Sequence, residues 1–239
     1  MKQEELRAAK GRAVAVILAG GSGQRAGAGT PKQYLEIAGR MVIERAVDAF
    51  ELHRGVDEIT IVAREEELAR TRAIVEKNGW RKVTNIAAGG KERHDSCLAA
   101  IRLHDDPRTR LLLHDAARPL VSRRVIDAVL EALEEDEAVV PAIPVVDTIL
   151  RARDGLVEDA PDRSALVQAQ TPQAFRLGTI REAYARALAD PAFHATDDCG
   201  VVRRYLPGTR VRVVPGEAAN MKLTYAWDAL LLERFLAGE

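Results

Sequence analysis

The chain has 239 residues, 47% hydrophobic and 30% charged, with a formal net charge of −1. That length suits one domain with a sizeable core, which excludes global disorder, and the balanced charge excludes the basic footprint of a nucleic-acid binder. No run approaches the ~20 apolar residues of a membrane span, and the two cysteines, Cys97 and Cys199, lack disulfide or metal-ligand spacing and read as thiols of a reducing cytoplasm.

The first apolar run, residues 13–18, reads as a strand buried on both faces. Lys10 and Arg12 precede it, but Glu4 and Glu5 and the shortness of the run argue against a signal peptide. Apolar residues at helical spacing follow at Val42, Ile43, Ala46, Val47 and Phe50. The chain then alternates: a strand over 58–63, a helix over 65–78 ended by Gly79, a strand over 82–88, a helix containing 96–103, and a strand over 110–114. Ser122 reads as the N-cap of a helix over 125–134, and residues 138–143 as a further strand. This order predicts an α/β fold: a Rossmann-like, mostly parallel sheet with helices on both faces. Asp154-Gly155, between strands over 146–153 and 156–158, is a hairpin dipeptide. It predicts a projecting β-hairpin arm, at about 145–168, inserted in a single domain spanning 1–239. Helices over 177–188 and 197–205, a strand over 210–214 and a helix over 225–236 complete the pattern.

In open α/β sheets ligands bind at the carboxyl ends of the strands. Five of the 17 glycines fall within residues 20–29, directly after the first strand. Glycines bring backbone N–H groups close to an anion, so the loop reads as a phosphate cradle. No Gly-Lys-Ser/Thr is present for a P-loop. The bare Rossmann string Gly21-x-Gly23-x-x-Ala26 occurs, but Gly27, Gly29 and Pro31 oppose an immediate helix, and dinucleotide binding rests on that string alone. Arg25 and Lys32 place two cations on the loop, suited to a triphosphate whose charge shifts during reaction. Lysine is scarce here, 7 against 28 arginines.

The stretch Gly20-Gly21-Ser22-Gly23-Gln24-Arg25, followed by Pro31-Lys32-Gln33-Tyr34, resembles the signature loop of the sugar-phosphate nucleotidyltransferases. Its ending is similar to that of the 2-C-methyl-D-erythritol 4-phosphate cytidylyltransferases. The likeness continues through Gly89 to Ser96, His114-Asp115-Ala116-Ala117-Arg118-Pro119, Asp147-Thr148, Asp162-Arg163, Thr171-Pro172-Gln173, Thr196-Asp197-Asp198 and Asn220-x-Lys222-x-Thr224. Departures are Ala26, where the family usually has Met, and Tyr225-Ala226-Trp227-Asp228, which keeps only the Asp of the usual Pro-Glu-Asp.

The resemblance implies transfer of CMP from CTP to 2-C-methyl-D-erythritol 4-phosphate, with pyrophosphate released, in a non-mevalonate isoprenoid route. It implies nucleotide contacts from Ala19, Gly20, Gly21, Ser22, Gly23, Gly90 and Ser96; for Ser96 a helix N-cap is the alternative. Arg25, Lys32, Arg163 and Lys222 are the implied catalytic cations. Asp115, Arg118, Thr148, Thr171 and Thr196 are expected on the substrates. Asp115 closes a buried strand, where a carboxylate suits Mg²⁺ bridging nucleotide phosphates; an ion pair with Arg118 is the plainer alternative. The arm is expected to reach a second subunit, giving a homodimer whose active sites take Thr148 and Arg163 across the interface. Ribitol 5-phosphate as acceptor, and a regulatory protein that binds the nucleotide without catalysis, are the alternatives.

Overall fold

Seven consecutive buried residues, Ala13–Ala19, fix the middle of the sheet, because a strand apolar on both faces needs helices above and below. The computed structural model describes residues 11–21, 30–195 and 197–238. Its strands are β1 (Ala13–Ala19), β2 (Glu36–Ile37), β3 (Arg40–Met41), β4 (Glu58–Ala63), β5 (Val83–Ala88), β6 (Arg110–Asp115), β7 (Ala138–Pro144), β8 (Arg151–Arg153), β9 (Leu156–Asp159), β10 (Val167–Ala169), β11 (Gln173–Arg176) and β12 (Val211–Pro215). Its helices are α1 (Val42–Glu51), α2 (Leu68–Asn78), α3 (Arg93–Ile101), α4 (Arg123–Ala132), α5 (Leu177–Leu188), α6 (Asp198–Tyr205) and α7 (Ala226–Ala237).

Strand β1 lies between β6 and β4, and β5 follows β4, all parallel. Its side chains alternate as a period of two requires. Ala13, Ala15, Ile17 and Ala19 face the core built with α1, α2 and α4, while Val14, Val16 and Leu18 face the core built with α3, α5 and α6. Ser122 Oγ accepts from Val125 N at 3.2 Å and so caps α4 as its sequence position predicts. Gly79, at φ +63°, ends α2. Glu65–Glu67, expected as the first turn of that helix, forms a 3-10 turn instead.

Two regions differ from expectation. Residues 167–176, not expected as strand, run antiparallel along β7 as β10 and β11 and separate it from β6. Ala169 faces Ala142 and Ala174 faces Val139, so two extra residues bulge from this side around the cis bond Thr171–Pro172. The second region is the arm. Its hairpin forms, with Asp154 and Gly155 both at positive φ, as a type I′ turn needs. The strand expected over 146–153 covers only Arg151–Arg153, because residues 146–150 meet no partner strand among the described residues.

The bulge fastens the end of β6. Asp115 N donates to Thr171 Oγ at 3.2 Å, the threonine hydroxyl meets His114 Nδ1 at 3.0 Å, and His114 Nε2 meets the Arg118 carbonyl at 3.0 Å. A carbonyl only accepts, so Nε2 carries the proton and Nδ1 accepts from the threonine. Burial pushes the His114 pKa down to about 4, so the imidazole inside this chain of bonds is neutral. The unfolded chain, titrating near ~6.5, takes up a proton that the fold refuses. Stability is therefore expected to fall as pH drops from ~6.5 towards 4, by up to ~3 kcal/mol. Urea unfolding across that window should show a flatter pH dependence in His114→Gln; equal slopes in the two proteins would contradict the assignment.

Candidate functional site

The carboxyl ends of β1, β4, β5 and β6 open into one cleft of about 790 Å³. Gly20 and Gly21 enter it after β1, Arg64, Glu65 and Glu66 after β4, Gly89 and Gly90 after β5, and Asp115 at the end of β6; Lys32, Lys91, Arg93, Ser96 and Lys222 are also on its wall. The volume suits a nucleotide-sized ligand.

The glycines leave room that no side chain could share. A Cβ on Gly89 would stand 2.4 Å from Ser96 Oγ, and one on Gly90 would stand 2.3 Å from Asp95 Cβ. Ser96 therefore packs its hydroxyl against the backbone after β5. It lies inside α3, whose cap is Glu92 with Asp95 Oδ2 accepting from the Glu92 N–H at 2.9 Å. The N-cap alternative for Ser96 is thereby corrected: the helix starts earlier than Ser96. Ala19 is buried and offers its carbonyl to Gln33 Nε2 at 2.6 Å. Gln33 also bonds the Gly21 carbonyl at 3.2 Å, so it ties both ends of the glycine loop together and sets Lys32 at the mouth. Gln33 was visible in the sequence only as part of the Pro-Lys-Gln-Tyr stretch.

At the base of the cleft one carboxylate gathers three cations. Asp115 Oδ2 lies 2.8 Å from Lys222 Nζ and 3.8 Å from Arg118 Nε, and Oδ1 lies 3.4 Å from Arg93 Nε. Burial opposes ionisation of Asp115, but Lys222, then Arg93 and Arg118, outweigh it and hold the carboxyl well below the usual carboxylate range. Lys222 arrives on a segment pinned to the same strand end. Leu223 N bonds the Ala117 carbonyl at 2.9 Å, Asn220 Nδ2 bonds the Thr171 carbonyl at 2.8 Å, and Arg118 Nη1 bonds the Asn220 carbonyl at 2.7 Å. The ion pair with Arg118 is present, although the Lys222 contact is tighter. In the sequence Arg93 stands only within the Gly89 to Ser96 stretch. It lines the cleft and touches Asp115.

The remaining sequence candidates fall in three groups. Thr171 is buried behind the cleft on His114 and Asp115 N. Thr148 and Arg163 lie on the arm, away from the cleft wall of a single chain, and Arg163 Nη1 bonds the Val146 carbonyl at 2.9 Å. Ser22, Gly23, Arg25 and Thr196 lie outside the described residues. Among the described residues no three His, Cys, Asp or Glu side chains come together as a metal site. A magnesium ion shared with phosphates needs only one or two carboxylates, and Asp115 offers one at the base of the cleft. That single carboxylate is the least such an ion needs from the protein, so the donor set fits a nucleotide-borne Mg²⁺.

The model of the family described as IspD, 2-C-methyl-D-erythritol 4-phosphate cytidylyltransferase, matches residues 13–238. A relative bearing that name from Thermobifida fusca (strain YX) is 46% identical over 94% of this chain and 93% of its own. The bifunctional ribulose 5-phosphate reductase/CDP-ribitol pyrophosphorylase Bcs1 of Haemophilus influenzae is 41% identical over 94% of this chain but 48% of its own. The crystal structure of 4-diphosphocytidyl-2C-methyl-D-erythritol synthase from Anaerococcus prevotii DSM 20548 superposes with a TM-score of 0.84, at 29% identity, over 96% of this chain and 97% of that one. With a family match running from the first core strand to the last helix, and a strand-end cluster built from the stretches that first suggested it, the chain belongs to the 2-C-methyl-D-erythritol 4-phosphate cytidylyltransferase family.

Proposed function

We propose that this protein transfers the cytidylyl group of CTP to 2-C-methyl-D-erythritol 4-phosphate, giving 4-diphosphocytidyl-2-C-methyl-D-erythritol and pyrophosphate. The observation that carries this reading is the cation set around Asp115 at the foot of a glycine-walled cleft. Two anions must meet there, a triphosphate and a phosphate monoester, so catalysis is a matter of positioning and charge neutralisation.

The acceptor's phosphate oxygen forms a bond to the α-phosphorus as the bond to the bridging oxygen breaks, and pyrophosphate leaves. The nucleophile is already ionised at neutral pH, so the chain needs no general base. Backbone groups at Ala19, Gly20, Gly21 and Gly90, with Ser96, hold the cytidine. Lys32, with Arg25 on the same loop, takes the phosphates of CTP. Lys222, on the cleft wall, faces the incoming phosphate; Arg118, beside Asp115 but off that wall, adds positive charge, and Thr171 holds the strand end in place. Mg²⁺ held by Asp115 would neutralise charge on the departing pyrophosphate.

The acceptor half of the site comes from a second protomer in this reading. The arm exposes Val146, Leu156 and Val157, at 78%, 73% and 61%, and a two-stranded ribbon with such a surface gains stability by docking. A homodimer formed through the arms would carry Thr148 and Arg163 to the neighbouring cleft, with Thr196 on the same acceptor. A cytoplasmic location accords with the two free, buried thiols and with the lack of any helix among the described residues long and apolar enough to cross a membrane.

Pyrophosphate release from Mg²⁺, CTP and either 2-C-methyl-D-erythritol 4-phosphate or ribitol 5-phosphate tests the reading. Turnover is expected with the first acceptor and to be lost on chelation of the metal. Lys222→Ala and Lys32→Ala should each cut it by ~10²-fold or more, the scale of a lost transition-state donor. Release only with ribitol 5-phosphate would transfer the assignment to that acceptor, and release with neither would favour a nucleotide-binding protein without catalysis. Arg163→Ala should raise KM for the sugar phosphate and leave KM for CTP unchanged; the reverse pattern would contradict its placement on the acceptor.

A further inference from the structure

Arg93 stretches between two carboxylates. Its Nε lies 3.4 Å from Asp115 Oδ1 at the base of the cleft, and its Nη1 lies 2.5 Å from Oδ2 of Asp198. Asp198 stands in the first turn of α6, fully buried and away from the cleft wall. A lone buried carboxylate is costly, and this one is held from several sides. Tyr184 donates its hydroxyl to Oδ1 at 2.6 Å, and the Asp198 N–H donates to Gln173 Oε1 at 3.0 Å. Gln173 is fixed in turn, its Nε2 donating to Asp197 Oδ2 at 2.9 Å. The carboxylate therefore has one geometry, with one oxygen on a tyrosine and the other on the guanidinium.

That arrangement solves a crowding problem. Three cations compete for Asp115, and Oδ2 already takes Lys222 and Arg118. If Arg93 had no second anion, its guanidinium would fold over Asp115 and displace the ammonium from the carboxylate. With Nη1 anchored behind the cleft, Arg93 presents only Nε to Oδ1, and Lys222 keeps Oδ2.

Resting on the reading of the cleft as a cytidylyltransferase site, we infer that Asp198, oriented by Tyr184, is a positioning residue that acts through Arg93 to hold Asp115 and Lys222 in their reactive arrangement. Neither residue need touch a substrate for this. A residue that only stabilised the fold would change the amount of folded enzyme but not kcat per folded active site.

The test compares Asp198→Asn, Tyr184→Phe and Arg93→Gln, singly and with each of the first two added to the third, in the full chain. In the wild-type background Asp198→Asn should lower kcat by ~10-fold or more, the scale of a lost charge-assisted bond, and Tyr184→Phe by ~3-fold. KM for CTP should move less than kcat in both. In the Arg93→Gln background neither substitution should lower kcat further, because the intermediary is already gone. If Asp198→Asn fails to fold, the Tyr184→Phe pair carries the same comparison. A readout independent of turnover is the Arg93 Nε–H signal in nitrogen-15 NMR, assigned by its loss in Arg93→Gln. It should be protected from exchange in the wild type and move to a new chemical shift in Asp198→Asn or, more weakly, in Tyr184→Phe, as the guanidinium turns further onto Asp115. Unchanged kcat with an unchanged NMR signal would overturn the inference, as would losses that multiply fully with Arg93→Gln. An inactive wild type would instead strike at the functional reading, and the NMR comparison would still decide the anchoring.

Discussion

Everything near the cleft depends on one buried carboxylate at the end of one buried strand. Asp115 sits where β6 leaves the core, and it is ionised because Lys222, Arg93 and Arg118 surround it. Each cation comes from a different part of the chain: Arg93 from the start of α3, Arg118 from the turn after β6, and Lys222 from the segment before α7. Close packing of the strand end therefore also fixes the charges. The Thr171 bulge, the neutral His114 and the Asn220 side chain hold that end in place through hydrogen bonds with little freedom.

The same cluster explains why the global charge is uninformative. A formal total of −1 conceals a cleft base with three cations on one acid. Such a local surplus in a partly buried place acts on anionic ligands far more strongly than its share of the total suggests. Three of only seven lysines, Lys32, Lys91 and Lys222, line this cleft. A compact ammonium can trade one anion for another as phosphates arrive, whereas a forked guanidinium keeps its geometry. Arg93, tied at both ends, fills the second role.

The parallel half of the sheet was legible because its strands are short apolar runs bounded by turn residues, as in 13–19 and 110–115. The antiparallel half was not. Residues 167–176 read Val-Gln-Ala-Gln-Thr-Pro-Gln-Ala-Phe-Arg, a polar run with a proline that breaks every simple strand pattern. Its polar groups are satisfied inside the protein, Gln170 on Glu217, Thr171 on His114, and Gln173 on Asp197 and Asp198, and such pairings exist only in three dimensions. The site divides similarly. Glycines and cations after strand ends announced Gly20, Lys32, Gly90 and Asp115. Asp198 was visible only as part of the Thr196-Asp197-Asp198 stretch and carried no role there, because an acid beside an N-cap is ordinary in sequence and only the fold brings Arg93 and Tyr184 to it. The arm's hairpin turn was legible from Asp-Gly, but the length of its strands was not, since pairing depends on a partner that residues 146–150 lack within the described chain.

In the proposed reaction Asp115 organises the cations for phosphoryl transfer rather than for nucleotide capture. The most direct measurement is kcat together with the CTP dissociation constant for Asp115→Asn. Removing the charge should cut kcat by ~10²-fold or more while CTP still binds within ~10-fold of the wild-type constant, since the cations remain. Wild-type turnover in Asp115→Asn, or loss of CTP binding in step with kcat, would contradict the account.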